Sequence, residues 1–138
     1  MIPEEKLFEK IRRVLIDDST IKGYVQDRVY AAHVSTINNP VYPCISLHLI
    51  DAAPRFSVPD ASNIRVQIDL WFPSKDYIVD DLKSCFERVR ALLNRQNLSD
   101  TSLSLKVGQI YEEGMAPVMF EEDTQLYHLP ARYSAVAI

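Results

Sequence analysis

Glycine is scarce in this chain, with three residues among 138. A phosphate-binding loop needs several closely spaced glycines, because its backbone must approach the phosphate oxygens and donate N–H groups to them. No such run is present, and the serines do not stand in a nucleophile-elbow motif. The sequence therefore argues against nucleotide binding by backbone amides and against chemistry of the serine-hydrolase type.

Cysteine is equally rare. Cys44 and Cys85 do not form a Cys-x-x-Cys pair, which is the spacing that structural zinc sites and dithiol redox motifs use. Cys44 falls on a predicted strand and Cys85 on the apolar face of a predicted helix, where a free cysteine behaves as a small hydrophobic residue. We therefore predict two buried free thiols, no metal and no cofactor.

Long hydrophobic runs and an excess of positive charge are also absent. No segment is close to the roughly 18 consecutive apolar residues that a membrane-spanning helix needs. The segment from Met1 to Lys6 contains acidic residues where a secretory signal peptide has basic ones. We expect an intracellular protein without membrane association. A net charge of -4 and a pI near 5.3 argue against binding nucleic acid by neutralising phosphates, since such domains are usually clearly basic.

The segment from Ile64 to Asn94 carries the strongest pattern in the sequence. Its first part, Ile64 to Phe72, alternates between two faces as a half-buried strand does, and it places Trp71 on the face opposite to Phe72. From Tyr77 onward, apolar residues recur at three- and four-residue spacings, which is typical of a helix lying on a sheet. These residues are Ile78, Val79, Leu82, Cys85, Phe86, Val89, Leu92 and Leu93.

Two further helices are predicted near the N-terminus. Pro3 to Asp17 has one apolar face, and Pro3 suits the first turn of a helix. Asp18 offers a cap for a second, brief helix from Ile21 to Val25, which Gly23 should interrupt.

Three further strands are predicted. They are Cys44–Asp51, a strand that begins at Leu103, shifts its phase at Gly108 and is closed by Glu113-Gly114, and Leu126–Ile138. Arg28 to Tyr30 is predicted to start an extended segment. Pro130 within the strand Leu126–Ile138 cannot donate to a strand ladder, so this strand should lie at a sheet edge or be irregular at the proline. Ala52 to Asn63 is either a long loop or the distorted ends of two long strands.

Together these elements predict one domain of the α+β class over residues 1–138. A mostly antiparallel sheet of about four strands would carry the N-terminal helix and one long central helix on one face. This fold specifies no reaction by itself.

Side chains that could carry catalysis are dispersed. His33, His48 and His128 show no metal-ligand spacing on one element, although His48 and His128 could meet across a strand pair. The carboxylates from Glu112 to Asp123 lack the spacing of a calcium loop and are predicted to be solvated. We therefore predict no catalytic residues. An enzyme would require a pocket that gathers His48, His128 and carboxylates within hydrogen-bond reach.

Two predicted loops contain large apolar residues among polar ones. One contains Arg55, Phe56 and Val58, and the other runs from Met115 to Phe120. Such residues either fold back on the core or contact another subunit, because aromatic residues, Met and Arg are enriched in interface centres. The predicted contact residues are Arg55, Phe56, Val58, Trp71, Met115, Met119 and Phe120.

The chain resembles the tail-terminator (tail-completion) proteins of long-tailed bacteriophages along nearly its whole length. The resemblance is carried by the N-terminal helices and by several short motifs. These motifs are Gly23–Tyr30, the proline-led entry Asn39–Leu47 into a strand, Arg65–Trp71 entering a helix with Leu82 and Val89, and Tyr127-His128 in the last strand.

The resemblance implies a virion structural protein without catalytic residues. Such subunits usually assemble as a hexameric ring on the tail tube, stop its polymerisation and form the surface that joins the head connector. The implied partners are further copies of the chain, the tube protein and the connector or neck protein, with DNA passing through the channel without specific binding. Assembly would occur in the host cytoplasm. The alternatives are a neck or head-completion protein of the same junction, or a bacterial dimeric adaptor.

Overall fold

The computed structural model describes residues 1–32, 36–54 and 61–138. In these ranges the chain forms three α-helices, namely α1 (Pro3–Asp17), α2 (Ser19–Val25) and α3 (Val79–Leu93). It forms six strands, namely β1 (Val29–Tyr30), β2 (Cys44–Pro54), β3 (Ser62–Pro73), β4 (Tyr111–Met115), β5 (Met119–Glu121) and β6 (Leu126–Ala137).

The strands form one sheet in the order β1-β2-β3-β6-β4, and β5 also pairs with β6. β1 is parallel to β2, and the other pairs are antiparallel. β3 and β6 pair from Ser62↔Ala137 to Pro73↔Leu126. The predicted α+β class is confirmed, but the prediction of about four strands is too low. β1 lies where Arg28 to Tyr30 is predicted to start an extended segment. β5 was missed because three residues are too few to show a period.

The helices lie on one face of the sheet and bury the core there. The apolar residues of β3 that were predicted to share a face, from Ile64 to Phe72, are at most 1% exposed. Leu7, Ile11 and Leu15 of α1 lie in the same cluster, as do Leu82, Cys85, Phe86, Val89 and Leu93 of α3. Burying one large apolar side chain contributes roughly 1.5–3 kcal/mol, so this face holds most of the hydrophobic stabilisation.

The helix ends follow local capping rules. Asp18 accepts a hydrogen bond from the Ile21 N–H at 3.1 Å, and Arg88 of α3 donates to the same carboxylate at 2.7 Å. The predicted interruption at Gly23 is wrong, because α2 runs through it. Ile21 and Val25 on either side are fully buried, which outweighs the roughly 1 kcal/mol that glycine costs a helix. No helix in the described ranges is long and apolar enough to cross a membrane.

The first part of the strand predicted from Leu103 to Gly114 is not formed, whereas its last part falls in β4. Thr101–Leu103 is a 3-10 helix, and the residues that follow make only the isolated bridges Asp100↔Leu105 and Val107↔Ala137. Leu103, Leu105 and Val107 are nevertheless buried. An alternating pattern reports alternating burial, which does not require continuous backbone pairing.

Pro130 lies inside the sheet, so its predicted place at an edge is wrong. β6 has β3 on one side and β4 and β5 on the other. The Pro130 carbonyl accepts from the Ala116 N–H at 3.1 Å, in the gap between the end of β4 and the start of β5. The missing N–H faces the same side, because the N–H and C=O of one strand residue point in the same direction. The alternative prediction of a local irregularity at the proline is confirmed.

Five residues of the segment Ala52 to Asn63 belong to strands, namely Ala52 to Pro54 of β2 and Ser62 and Asn63 of β3. The pairing continues to Pro54↔Ser62, with a register shift between Leu49 and Asp51. The interpretation as distorted ends of two long strands is therefore confirmed on both sides of residues 55–60. The predicted contact residues Arg55, Phe56 and Val58 lie outside the described residues.

Candidate functional site

The face of the sheet opposite to the helices carries a polar cluster. Asp69 of β3 is fully buried there, between His48 of β2 and His128 of β6. His128 Nε2 lies 2.7 Å from Asp69 Oδ1, and Gln67 donates to the same oxygen at 2.9 Å. His48 Nδ1 lies 3.3 Å from Oδ2, although its geometry does not qualify as a hydrogen bond. We call Asp69, His48 and His128 the His–Asp–His cluster.

The cluster links three adjacent strands. His48 and His128 do not face each other across one strand pair, as the sequence suggested, because β3 lies between their strands. The carboxylate of Asp69 fills that gap. A buried carboxylate is costly unless donors compensate for its lost hydration. Here Gln67 of the same strand and His128 of β6 lie within hydrogen-bond distance of Oδ1, and His48 of β2 adds a polar contact at 3.3 Å to Oδ2. The cluster therefore favours the observed register of β2, β3 and β6.

Trp71 continues the cluster at one end of the sheet. Its ring stacks on His128 with centroids 3.7 Å apart and planes 5° apart, and its Nε1–H donates to the Ser46 hydroxyl at 3.1 Å. Trp71 is 4% exposed because Tyr30, Ile37 and Tyr42 pack against its small apolar cluster. It faces away from the main core, as predicted, but the same chain covers it. The contact of Trp71 with another subunit therefore stays a prediction, and the low exposure of its side chain does not support it.

An enzyme would require a pocket that gathers His48, His128 and carboxylates, and the His–Asp–His cluster meets part of this condition. A cavity beside the cluster is lined by His128, Gln67, Arg132, Met115 and Met119, among others. Neither Asp69 nor His48 reaches this cavity, and its lining, as far as the structure describes it, includes no serine, threonine, cysteine, lysine or tyrosine. In the described ranges no three His, Cys, Asp or Glu residues are grouped to hold a metal ion. The geometry of the His–Asp–His cluster therefore supports a structural role, in which it links three strands, better than a catalytic role.

The two cysteines are inert. Both are fully buried free thiols, as predicted, and burial raises the pKa of each to about 12. Because the thiolate is the reactive form, neither thiol is activated as a nucleophile near neutral pH.

An exposed apolar groove lies beside α3 at the β4–β5 turn. We call it the Met–Phe groove; its lining includes Val79 of α3, Met115, Val118, Met119, Phe120 and Tyr127. Met115, Met119 and Phe120 are 43%, 44% and 46% exposed. The structure thus brings together the three contact residues predicted in this segment. The predicted loop is partly strand, since Met119 and Phe120 belong to β5.

Charge surrounds this groove unevenly. Glu121, Glu122 and Asp123 follow Phe120, with Glu122 and Asp123 exposed, and Asp80 is exposed next to Val79. Lys83 is the one cation among the lining residues that the structure describes. The groove is therefore an apolar surface with an acidic border. The prediction of solvated carboxylates agrees with the exposure of Glu122 and Asp123. It does not hold for Glu112, which accepts hydrogen bonds from Arg90 and Tyr133.

Sequence reasoning missed the role of Asp69. It placed Asp69 correctly on the outer face of β3 but gave no reason to expect a fully buried carboxylate. The available signal was a histidine on each of the two strands that flank β3. Without the strand order, however, the sequence does not show that these histidines lie next to Asp69. Reasoning also missed Arg65, which contacts Asp51 of β2 at 3.0 Å and Glu113 of β4 at 3.1 Å.

The fold is shared with a known virion component. The chain is similar to a chain in the structure of the virion of a native gene transfer agent (GTA) particle, with a TM-score of 0.71 and 14% sequence identity. The match covers 95% of this chain and 93% of that chain. At this identity the similarity establishes the fold alone. No protein-family model and no curated protein sequence matches the chain.

Proposed function

We propose that this protein is a virion structural subunit that caps the end of a phage-type tail tube as a ring. In this role it stops tube polymerisation and forms the surface that joins the tail to the head. The observation that carries the proposal is the fold likeness over nearly the whole length of both chains to a component of a GTA virion. The sequence resemblance to tail terminators is the reason for proposing the end of the tail as its location within such a particle.

The surfaces of the chain are consistent with assembly. Within the described ranges, β4 pairs with β6 alone, and β1 covers β2 only at Ile45 and Ser46. Both edges of the sheet therefore include strand residues that lack a strand partner on their outer side within the described ranges, and such edges are able to pair with strands of other chains. The Met–Phe groove adds an apolar contact surface.

The proposed partners are copies of this chain, usually six in such rings, together with the tube protein and the head connector or neck protein. DNA would pass through the ring without specific binding. The net charge of -4 suits this passage, because a predominantly negative channel does not retain phosphates by counterion release. A ring channel lined mainly by Lys and Arg would contradict this part of the proposal.

Purified chain should be mixed with tail tubes of its own phage, and the products examined by electron microscopy. We expect a ring of density at one end of each tube and arrest of tube growth, with or without rings in free solution. Tubes that stay bare and keep growing at every concentration of the chain would refute the capping role. Density found only at the connector would favour the neck protein, and capture of soluble bacterial proteins without virion proteins would favour the adaptor.

A further inference from the structure

We propose that a carboxylate of the turn between β5 and β6 in one copy binds Arg132 in a cavity of a second copy. This inference rests on the proposed ring and identifies a contact between its subunits. It follows from the charge of the cavity, the exposure of the turn, and the separation of the two within one chain.

The cavity lies on the face of the sheet opposite to the helices and has a volume of about 650 Å³. His128, Pro130 and Arg132 line it, and along β6 they alternate with residues of the main core. Met115 and Met119 add apolar surface to the same lining. We call it the Arg132 cavity. Sites that bind ligands have volumes of roughly 300–1,000 Å³, so this cavity is large enough to admit a side chain of another molecule.

The Arg132 cavity carries one positive charge that the described residues do not compensate. Two other charged residues of the lining, Arg65 and Glu113, pair with each other at 3.1 Å. Arg132 donates from Nε to Gln67 Oε1 at 3.4 Å, and neither of its terminal nitrogens bonds to a described residue. These two nitrogens form the fork that binds both oxygens of a carboxylate. The cavity therefore favours a carboxylate as its ligand.

The turn between β5 and β6 (residues 122–125) presents carboxylates of this kind. Glu122 and Asp123 are exposed there, and neither forms an ion pair with a described residue. Glu121 differs, because its carboxylate lies 3.9 Å from His128 Nδ1 and accepts from the Thr124 hydroxyl at 3.1 Å within its own copy. A turn at the tip of a hairpin protrudes, so its side chains are able to enter a concave site.

The turn and Arg132 lie apart within one chain. Glu121 pairs with Leu126 at the N-terminal end of β6, and Arg132 follows six residues later, which corresponds to about 20 Å along a strand. In the structure neither Glu122 nor Asp123 contacts Arg132. A bond between them therefore joins two copies through different surfaces, and a contact of this kind closes into a ring when the rotation between copies allows it.

An amine introduced at position 132 provides a direct test. Arg132→Lys keeps the positive charge, and a carbodiimide couples an amine to a carboxylate that it contacts. Unlabelled and isotope-labelled copies are mixed, with and without tail tubes, so that mass spectrometry distinguishes a link between copies from a link within one copy. Arg95→Lys is the matched control, because Arg95 is exposed and follows the C-terminal end of α3, where its N–H bonds to the Ile110 carbonyl.

We expect the link from position 132 to Glu122 or Asp123 of another copy to exceed the control link by about tenfold or more, because contact makes the coupling effectively intramolecular. Equal yields from the two variants would overturn the inference. A link from position 132 to a different virion protein instead of this turn would also overturn it.

Tube capping by the unmodified chain is measured separately, so that failure of the proposed function and failure of this contact are distinguished. A link between copies without capping would support the contact and contradict the capping role. Capping without the link would overturn the contact alone. Links that form only closed dimers would support the contact and contradict the ring.

Charge reversal provides a second measurement. Arg132→Glu and the double variant Glu122→Arg/Asp123→Arg should each raise the concentration needed for half-maximal capping about tenfold, because like charges then face each other across the contact. The three substitutions together restore opposite charges at every contact and should recover most of the capping.

The substituted residues are exposed, so each variant should keep its fold, which urea denaturation verifies. Arg95→Glu is the control and should leave capping unchanged. Capping that is unaffected by Arg132→Glu, or that the combined variant does not recover, would overturn the inference.

Discussion

Asp69 illustrates how neighbours determine the environment of a single residue. Its position in an alternating strand places it on the face away from the main core, where exposure is the simplest expectation. It is fully buried because His48, Gln67 and His128 surround its carboxylate. Removing one partner from a buried polar group leaves the others with an uncompensated loss of hydration.

Replacement of Asp69 should therefore destabilise the fold. Asp69→Asn keeps the size of the side chain but removes the charge, and it turns an amide N–H₂ toward one of the two imidazoles. We expect a loss of about 1–3 kcal/mol in the free energy of unfolding, measured by urea denaturation. Asp123→Asn in the exposed turn is the control and should change stability by less than about 0.5 kcal/mol. Equal stability of the two variants would refute a stabilising role for the cluster.

The lowered pKa of Asp100 predicts how its contribution to stability depends on pH. Hydrogen bonds from Ser102 and Lys10 lower its pKa to about 2 from 3.8. A carboxyl whose folded pKa is depressed contributes stability above its unfolded pKa, and it loses that contribution as the pH falls through the folded value. The contribution of Asp100 should therefore disappear between about pH 4 and pH 2.

The direct measurement for Asp100 is the NMR titration of its carboxyl carbon. The midpoint should lie near pH 2 in the native chain. It should move toward 3.8 in Ser102→Ala, because the hydrogen bond from Ser102 is the largest cause of the shift. A titration that is identical in both proteins would show that Ser102 does not stabilise the carboxylate.

At the scale of elements, β6 shows why a proline is tolerated within a sheet. Pro130 stands where β4 has ended and β5 has not begun, so no strand residue opposite it needs an N–H donor. The neighbouring residue Ala131 has the opposite orientation, because successive strand residues point their N–H groups to alternate sides. Its N–H therefore faces β3, which pairs with β6 without a break.

Proline substitutions along β6 should follow this alternation. Pro130→Ala should cost less than about 1 kcal/mol, mainly through the greater freedom of the unfolded chain. Ala131→Pro should cost about 3 kcal/mol or more, because it removes a ladder hydrogen bond at the centre of the sheet. Thermal and urea denaturation would measure both changes. A larger loss from Pro130→Ala than from Ala131→Pro would contradict the assigned orientation.

At the scale of the whole molecule, charge sets the expected relation to DNA. The chain carries 15 Lys and Arg against 19 Asp and Glu, and Arg65 is held in ion pairs with Asp51 and Glu113. Binding by phosphate neutralisation requires Lys and Arg side chains that are free to contact phosphates and to displace the counterions condensed on the DNA.

The assembled protein should therefore bind DNA weakly. We expect it to pass through a heparin column at about 0.15 M salt, near physiological ionic strength. Fluorescence anisotropy with a labelled duplex should detect no binding that falls steeply with salt. Retention on heparin with a steep salt dependence would contradict unhindered passage of DNA through the ring.

The sequence by itself determined the helices α1 and α3, the inner face of β3, the buried thiols and the α+β class. These features depend on local periodicity and on short capping patterns, which lie within one stretch of chain. Only the tertiary structure decided that Pro130 lies inside the sheet, that Leu103–Val107 is not a strand, and that Asp69 is enclosed by His48 and His128. Each of these depends on which strands become neighbours, and residues as far apart as 48 and 128 meet only when the whole sheet has formed.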